Sequence, residues 1–120
     1  MMNDLDPRSI TGYHAHIYYD EATRSDASWV RDEIRRRYSV VTGRWREKPV
    51  GPHPISMYQV AFETDIFDQI VPWLMLNHRG LSVLIHPESN DAVADHEDFP
   101  IWLGPKLDLN IEFLRQFAQK

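Results

Sequence analysis

Apolar periodicities of two and of three-to-four alternate along the 120-residue chain in the order strand, helix, strand, strand, helix, strand, with an appendage at the C-terminal end. That order is the split-βαβ pattern. It predicts an α+β protein of ferredoxin-like βαββαβ type, an antiparallel sheet carrying both helices on one face, plus a C-terminal extension. The length suits a single domain, expected over residues 13–120 behind a polar N-terminal tail over residues 1–12. The expected strand order is 4-1-3-2, with strand four antiparallel to strand one.

Tyr13-His14-Ala15-His16-Ile17-Tyr18-Tyr19 is rich in β-formers. A period of two sets His14, His16 and Tyr18 on one face, and gives Tyr13, Ala15, Ile17 and Tyr19 to the helices. Ser25-Asp26 can cap the first helix, whose stripe is Ala27, Val30, Ile34 and Tyr38. Asp26 near its start and Arg35-Arg36-Arg37 near its end both suit the helix dipole, so the arginine triplet reads as a solvated terminus. Strand two is expected over Val40–Arg46, followed by a proline-rich loop from Glu47 to Pro54. Met57–Phe62 reads as strand three. Thr64-Asp65 opens a second helix carrying Phe67, Ile70, Val71, Leu74 and Met75, and Pro72 should kink it or mark its true start. Asn77 and Gly80 end that helix. Leu81–His86 reads as strand four, Pro87 to Asp98 as a polar loop, Ile101-Trp102-Leu103 as an extended stretch, and Leu109 to Phe117 as a terminal helix.

Composition narrows the function. Thirteen basic against eighteen acidic side chains give a net charge of −5, which argues against nonspecific nucleic-acid binding. There are no cysteines, so disulfides, thiolate metal sites and thiol nucleophiles are excluded. The first residues carry acids and no apolar core, unlike a signal peptide, and no run approaches the ~18 apolar residues of a membrane span. The expectation is a soluble, cytoplasmic protein with no nucleic-acid or membrane partner. Its distinctive resource is six histidines.

His14-x-His16 points two imidazoles the same way from one strand, roughly 6–7 Å apart, within reach of one metal ion. Alone, such a pair more often describes a half-exposed sheet surface. The topology adds a third ring. Strand four ends beside the start of strand one, so His86, opposite in face to Val83 and Ile85, should approach His14 and His16. Three neutral imidazoles with open positions left over suit a catalytic metal site. His53, between Pro52 and Pro54, is an acid–base candidate or a plain turn residue. His96, in Ala94-Asp95-His96-Glu97-Asp98, can swing over the site or simply face solvent. His78 meets the end of the second helix. Arg44 and Arg46 suit a substrate carboxylate, although arginines on an edge strand are often only surface. Tyr18 and Trp102 can stack on an aromatic substrate. There is no phosphate-binding Gly-rich loop, Gly-x-Ser-x-Gly elbow or His-Glu-x-x-His helix.

Several segments in one order carry a resemblance: Tyr13–Tyr19, Gly51-Pro52-His53-Pro54 with Met57-Tyr58-Gln59-Val60, Pro72-Trp73-Leu74, Gly80–Pro87, Asp95-His96 and Trp102-Leu103-Gly104. Together they resemble the DOPA 4,5-dioxygenase family over about Gly12 to Leu109. The resemblance implies extradiol cleavage of a catechol such as L-DOPA by O₂ at a non-haem Fe(II). On this reading strand geometry assigns the metal to His14, His16 and His86, acid–base roles to His53 and His96, and substrate binding to Arg44, Arg46 and Tyr18. A non-catalytic small-molecule-binding module and a cofactor-free oxygenase are the competing readings. A two-fold homodimer is expected, because the histidine face of the sheet needs cover.

Overall fold

A computed structural model describes residues 4–118. Its five strands are β1 (Tyr13–Tyr18), β2 (Val41–Thr42), β3 (Met57–Phe62), β4 (Val83–Pro87) and β5 (Ile101–Leu103). The helices are α1 (Arg24–Arg37), α2 (Phe67–Asn77), α3 (Ala92–Glu97) and α4 (Ile111–Ala118). The sheet order is β2-β3-β1-β4-β5, and every pairing is antiparallel. This is the predicted 4-1-3-2 arrangement with the extended stretch added as a fifth strand beside β4. The fold is α+β and compatible with the ferredoxin-like class.

Two layers share the apolar residues. Ala15, Ile17, Val60, Val83 and Ile85 face α1 and α2, where they bury Val30, Ile34, Ile70 and Leu74. The Tyr58 hydroxyl donates to the Ala27 carbonyl at 2.7 Å, which satisfies the one polar atom that its ring carries into this core. On the other face Tyr18, Met57 and Leu84 form a smaller cluster under Trp102, Leu107 and Leu109. The C-terminal segment therefore covers part of the histidine face from within the chain.

Three local departures from expectation have physical causes. Strand two is short. Thr42 pairs with Val60 and Arg46 with Met57, so four steps on one strand face three on the other. The extra residue is a bulge, and it turns Trp45 toward Tyr58 and Tyr19, with ring centroids 5.0 and 5.2 Å away. The second helix runs through Pro72 rather than starting there. Pro72 offers no N–H to the carbonyl of Asp68, but both residues are exposed and water can take that role. The loop after β4 contains α3, capped by the Asp91 carboxylate accepting from the Ala94 N–H at 3.1 Å.

Gly104 follows β5 directly, and its φ of +67° is a left-handed conformation. A Cβ there would strike the Leu81 carbonyl oxygen. Gly104→Ala should therefore lower stability by about 1–3 kcal/mol, read as a lower urea midpoint at an unchanged m value. An unchanged midpoint would contradict this account of the turn.

Candidate metal centre

The register of β1 against β4 sets His14 directly opposite His86, and His16 opposite Leu84. Directly opposed residues in an antiparallel pair point to the same face, and so do residues two apart on one strand. His14, His16 and His86 consequently share the face away from α1 and α2. His16 Nε2 lies 3.0 Å from His86 Nε2, with the rings nearly parallel at 16°. The His14 ring centroid is 5.2 Å from that of His86 and 5.9 Å from that of His16.

Two further rings arrive from outside the sheet. His53 is held by its proline-flanked turn, where its N–H donates to the Val50 carbonyl at 2.9 Å. Its ring centroid sits 4.2 Å from that of His16, and its Nδ1 is hydrogen-bonded to the Tyr18 hydroxyl at 2.7 Å. His96 stands on α3, with its ring centroid 4.0 Å from that of His86. Buried Asp95 anchors this short helix by accepting from the Ser89 N–H at 3.0 Å and from the Ser89 hydroxyl. Arg115 of α4 holds Glu97 at 2.9 Å from the other side.

Five of the six histidines thus form one cluster. It contains two overlapping groups whose nitrogens lie within 4.8 Å of one another and could hold a metal ion: His14, His16 and His86, and His16, His53 and His96. His78 stands apart, with its ring Nδ1–H donating to the Leu81 carbonyl at 2.9 Å.

Burial decides the charge of these rings. It holds His16 well below the ordinary imidazole range, brings His86 down to about 3 and His53 to about 4, and lowers His14 as well. Proximity to the other imidazoles acts in the same direction. Glu88 lies 3.0 Å from His14 Nδ1, yet burial raises its carboxyl while it lowers the ring. Their contact is therefore a hydrogen bond from a neutral imidazole rather than a full ion pair. Neutral imidazole is the form that binds a metal.

Hydrogen bonding decides which nitrogen of each ring is spare. Nδ1 of His14 faces Glu88, Nδ1 of His86 donates to the Pro87 carbonyl at 2.9 Å, and Nδ1 of His96 donates to the Ala92 carbonyl at 2.7 Å. In the neutral rings of His14 and His86 this leaves Nε2 unprotonated. Such outer contacts are the usual way a ligating imidazole is oriented. His16 differs, because its Nδ1 is buried without a hydrogen-bond partner. The 3.0 Å between His16 Nε2 and His86 Nε2 equals the spacing of two ligand atoms at about 2.1 Å from one cation and about a right angle apart. The donor set fits a divalent transition metal.

Of the other expected site residues, Tyr18 joins the cluster through His53 and stacks against Trp102 at 6.0 Å and 19°. Arg46 pairs with Met57 and so lies on the histidine side of the sheet edge, whereas Arg44 is exposed. Among the described residues, no hydrogen bond or ion pair joins either arginine to a histidine of the cluster. Glu88 and Ser89 are supporting residues that the sequence did not single out, and Asp95, quoted there beside His96, supports the site through Ser89. Glu88 carried a readable sign, since it continues the alternation two positions beyond His86. A cleft of about 200 Å³ reaches the cluster at His96 and is lined also by Trp102, Lys106, Leu107 and Leu109. A larger groove of about 710 Å³, lined by Leu5, Tyr13, Phe67, Ile85 and Phe99, lies on the helix side of the sheet and contains no histidine.

Residues 13–113 match the model of the Dopa 4,5-dioxygenase family. The chain belongs to that family. It is 31% identical to a protein of Amanita muscaria named DOPA 4,5-dioxygenase, over 85% of this chain and 49% of that one. It is 32% identical to an uncharacterised 21.2 kDa protein of Botryotinia fuckeliana, over 90% of this chain and 66% of that one. The chain therefore spans between about half and two thirds of these curated relatives. A crystal structure of a "putative dioxygenase" from Nostoc punctiforme superposes with a TM-score of 0.94 at 54% identity, over 95% of this chain and 99% of that one. The histidine groups of this chain could hold a metal ion.

The depressed pKa values fix the direction of a pH effect in metal-free protein. An unfolded histidine titrates near 6.5, and folded His53 and His86 near 4 and 3. Between those limits the unfolded chain binds more protons, so stability should fall as pH drops from about 6.5 through 4 and stay level just above that window. Each ring contributes a slope of up to about 1.4 kcal/mol per pH unit. Urea midpoints of chelator-treated protein at several pH values measure this, and a flat profile between pH 6.5 and 4.5 would contradict the buried neutral cluster.

Proposed function

We propose that this chain is an extradiol ring-cleaving dioxygenase that opens a catechol such as L-DOPA with O₂ at an Fe(II) ion. His14, His16 and His86 would hold the iron through their Nε2 atoms. The observation that carries this reading is the convergence of three neutral imidazoles on one sheet face, two of them with Nδ1 tied to Glu88 and to the Pro87 carbonyl. When bound there, Fe(II) supplies positions for both catechol oxygens and for O₂.

The remaining residues manage the substrate and its protons. Trp102 forms an aromatic wall of the 200 Å³ cleft, against which a substrate ring can stack. His96 Nε2, at the inner end of that cleft, takes a phenolic proton as the substrate enters. His53 lies deeper, where the Tyr18 hydroxyl holds its ring, and it returns a proton to the ring-opened product. Arg46, on the histidine side of the edge strand, and Arg44 beyond it, are the candidates to attract a substrate carboxylate. The working unit in this proposal is the single domain 13–120 behind segment 1–12, a cytoplasmic two-fold homodimer. Exposed Met75 and Leu76 on α2 are consistent with an intersubunit contact.

Anaerobic Fe(II) loading followed by L-DOPA or protocatechuate and then air should give O₂ uptake and a yellow ring-opened product. Turnover that persists after chelation would favour a cofactor-free oxygenase, and binding without turnover a non-catalytic module.

His16→Ala should lose bound iron by at least tenfold while retaining its circular dichroism, because the cavity opens among polar rings and not in the apolar core. His78→Ala should keep the parental iron content. Full iron occupancy in His16→Ala, or its loss in His78→Ala, would refute the assignment.

A further inference from the structure

We propose that Gln59 is a positioning residue of the metal centre. When a divalent metal occupies His16 Nε2, the Gln59 carboxamide oxygen accepts the His16 Nδ1–H and fixes that ring. The proposal rests on the assignment of His16 as a metal ligand, and adds to it the partner that this ligand lacks.

The other two rings assigned to the metal have Nδ1 engaged, His14 by Glu88 at 3.0 Å and His86 by the Pro87 carbonyl at 2.9 Å. His16 Nδ1 is buried without a partner, in a residue only 3% exposed. A metal on Nε2 obliges a neutral imidazole to carry its proton on Nδ1, and a buried N–H without an acceptor is costly. The ring orientation fixes the side from which an acceptor must come. His16 and His86 lie within 16° of parallel, with Nε2 atoms 3.0 Å and ring centroids 5.1 Å apart, so each ring points its Nε2 at the other. His16 Nδ1 is consequently on the ring edge turned away from His86 and β4. That is the β3 side of β1.

β3 places Gln59 directly opposite His16. Opposed residues share a face, with Cβ atoms roughly 4.5–5.5 Å apart, a gap that a glutamine side chain can cross. The other neighbours of His16 on this face offer no acceptor. Leu84 is apolar, the Tyr18 hydroxyl is committed to His53 Nδ1 at 2.7 Å, and His14 is held by Glu88. The half-buried Gln59 amide makes no hydrogen bond among the described residues. On its outer side lies Gly43, whose N–H donates to the Gln59 carbonyl at 2.7 Å and which sets no side chain against the amide. The carboxamide is therefore free to turn toward His16. Its oxygen is a neutral acceptor, and it would orient His16 as Glu88 and the Pro87 carbonyl orient the other two rings.

The test is nitrogen-15 NMR of the imidazoles in tag-free, chelator-stripped protein before and after one equivalent of Zn²⁺. Zinc affinity and circular dichroism are measured on Gln59 variants alongside. In the parent, zinc should shift His16 Nε2 and leave on Nδ1 a proton that exchanges slowly with water and shows a nuclear Overhauser contact to Gln59. Gln59→Leu keeps a side chain of similar size and removes the acceptor. There the Nδ1 proton should exchange faster and zinc affinity should fall about tenfold or more, with the dichroism unchanged. Gln59→Glu restores an acceptor oxygen and should recover both. Parental affinity and slow exchange in Gln59→Leu would overturn the role of Gln59 and leave His16 a ligand. Equal losses in Gln59→Leu and Gln59→Glu would also overturn it, because lost fit and not a lost acceptor would then be at fault. Should Gln59→Leu fail to fold, the parent decides, and a zinc-loaded His16 without a proton on Nδ1 refutes the hydrogen bond. A His16 Nε2 that zinc leaves unshifted would instead overturn the metal assignment beneath the proposal.

Discussion

The register between β1 and β4 is the constraint on which the histidine cluster depends. A slip of one residue would carry His86 to the helix side and bring Ile85 among the imidazoles, because side chains alternate at every step. Apolar burial on the opposite face prevents this. Ala15 and Ile17 on β1 and Val83 and Ile85 on β4 pack into one core with α1 and α2, so a slip of β4 would take both Val83 and Ile85 out of it. The ladder also continues past the strand ends, where the Glu88 N–H donates to the Gly12 carbonyl and the Thr11 N–H to the Glu88 carbonyl. Those bonds fix Glu88 beside His14. The apolar core on one face thus holds a polar arrangement on the other.

That polar arrangement also needs a dry environment, and the C-terminal third of the chain supplies it. β5 brings Trp102 over Tyr18, while Leu107 and Leu109 close over Leu84 and Met57. Exclusion of water is what pushes the imidazoles toward neutrality. It also makes each hydrogen bond to them matter, since a buried polar atom without a partner is penalised. Among the described residues, only His16 Nδ1 and Arg31 Nη1 are buried side-chain atoms without a hydrogen bond. Arg31 stacks on Tyr58 and Trp45 instead, at 4.9 and 5.2 Å from the ring centres.

Much of this was legible in the residues themselves. Alternation along Tyr13–Tyr18 and Val83–His86 is strict, so the faces of both strands could be read, and topology alone brought His86 to His14. The limits of β3 were equally clear, because Met57–Phe62 lies between a proline-rich loop and the helical turn that opens at Thr64. The bulge in β2 was not legible, since Gly43 signals a weak point in a strand but not the direction in which Trp45 will turn. Helix α3 was missed because six residues are too few to show a helical period, although Asp91 three residues before Ala94 is a capping signal. With α3 unread, the position of His96 stayed open, and with it the second group of three nitrogens. Nothing in the spacing of six histidines reveals which ring nitrogen is spare, because that depends on carbonyls and a hydroxyl brought in by tertiary folding.

The nitrogen pattern also bears on what the proposed centre binds. Three neutral imidazoles bring no negative charge to a divalent ion, unlike donor sets that include a carboxylate. Glu88 meets the Nδ1 side of His14 at 3.0 Å and of His86 at 3.7 Å, behind the rings, and Asp95 and Glu97 are engaged by Ser89 and Arg115. A doubly charged ion in so desolvated a place would carry an uncompensated electrostatic cost. An anionic ligand with two adjacent oxygens relieves that cost and fills two open positions at once. A catechol that sheds its phenolic protons is such a ligand, and the unclaimed nitrogens of His53 and His96 lie within the same cluster to receive them. The neutrality of the first three rings thus favours an acidic chelating substrate over a neutral one.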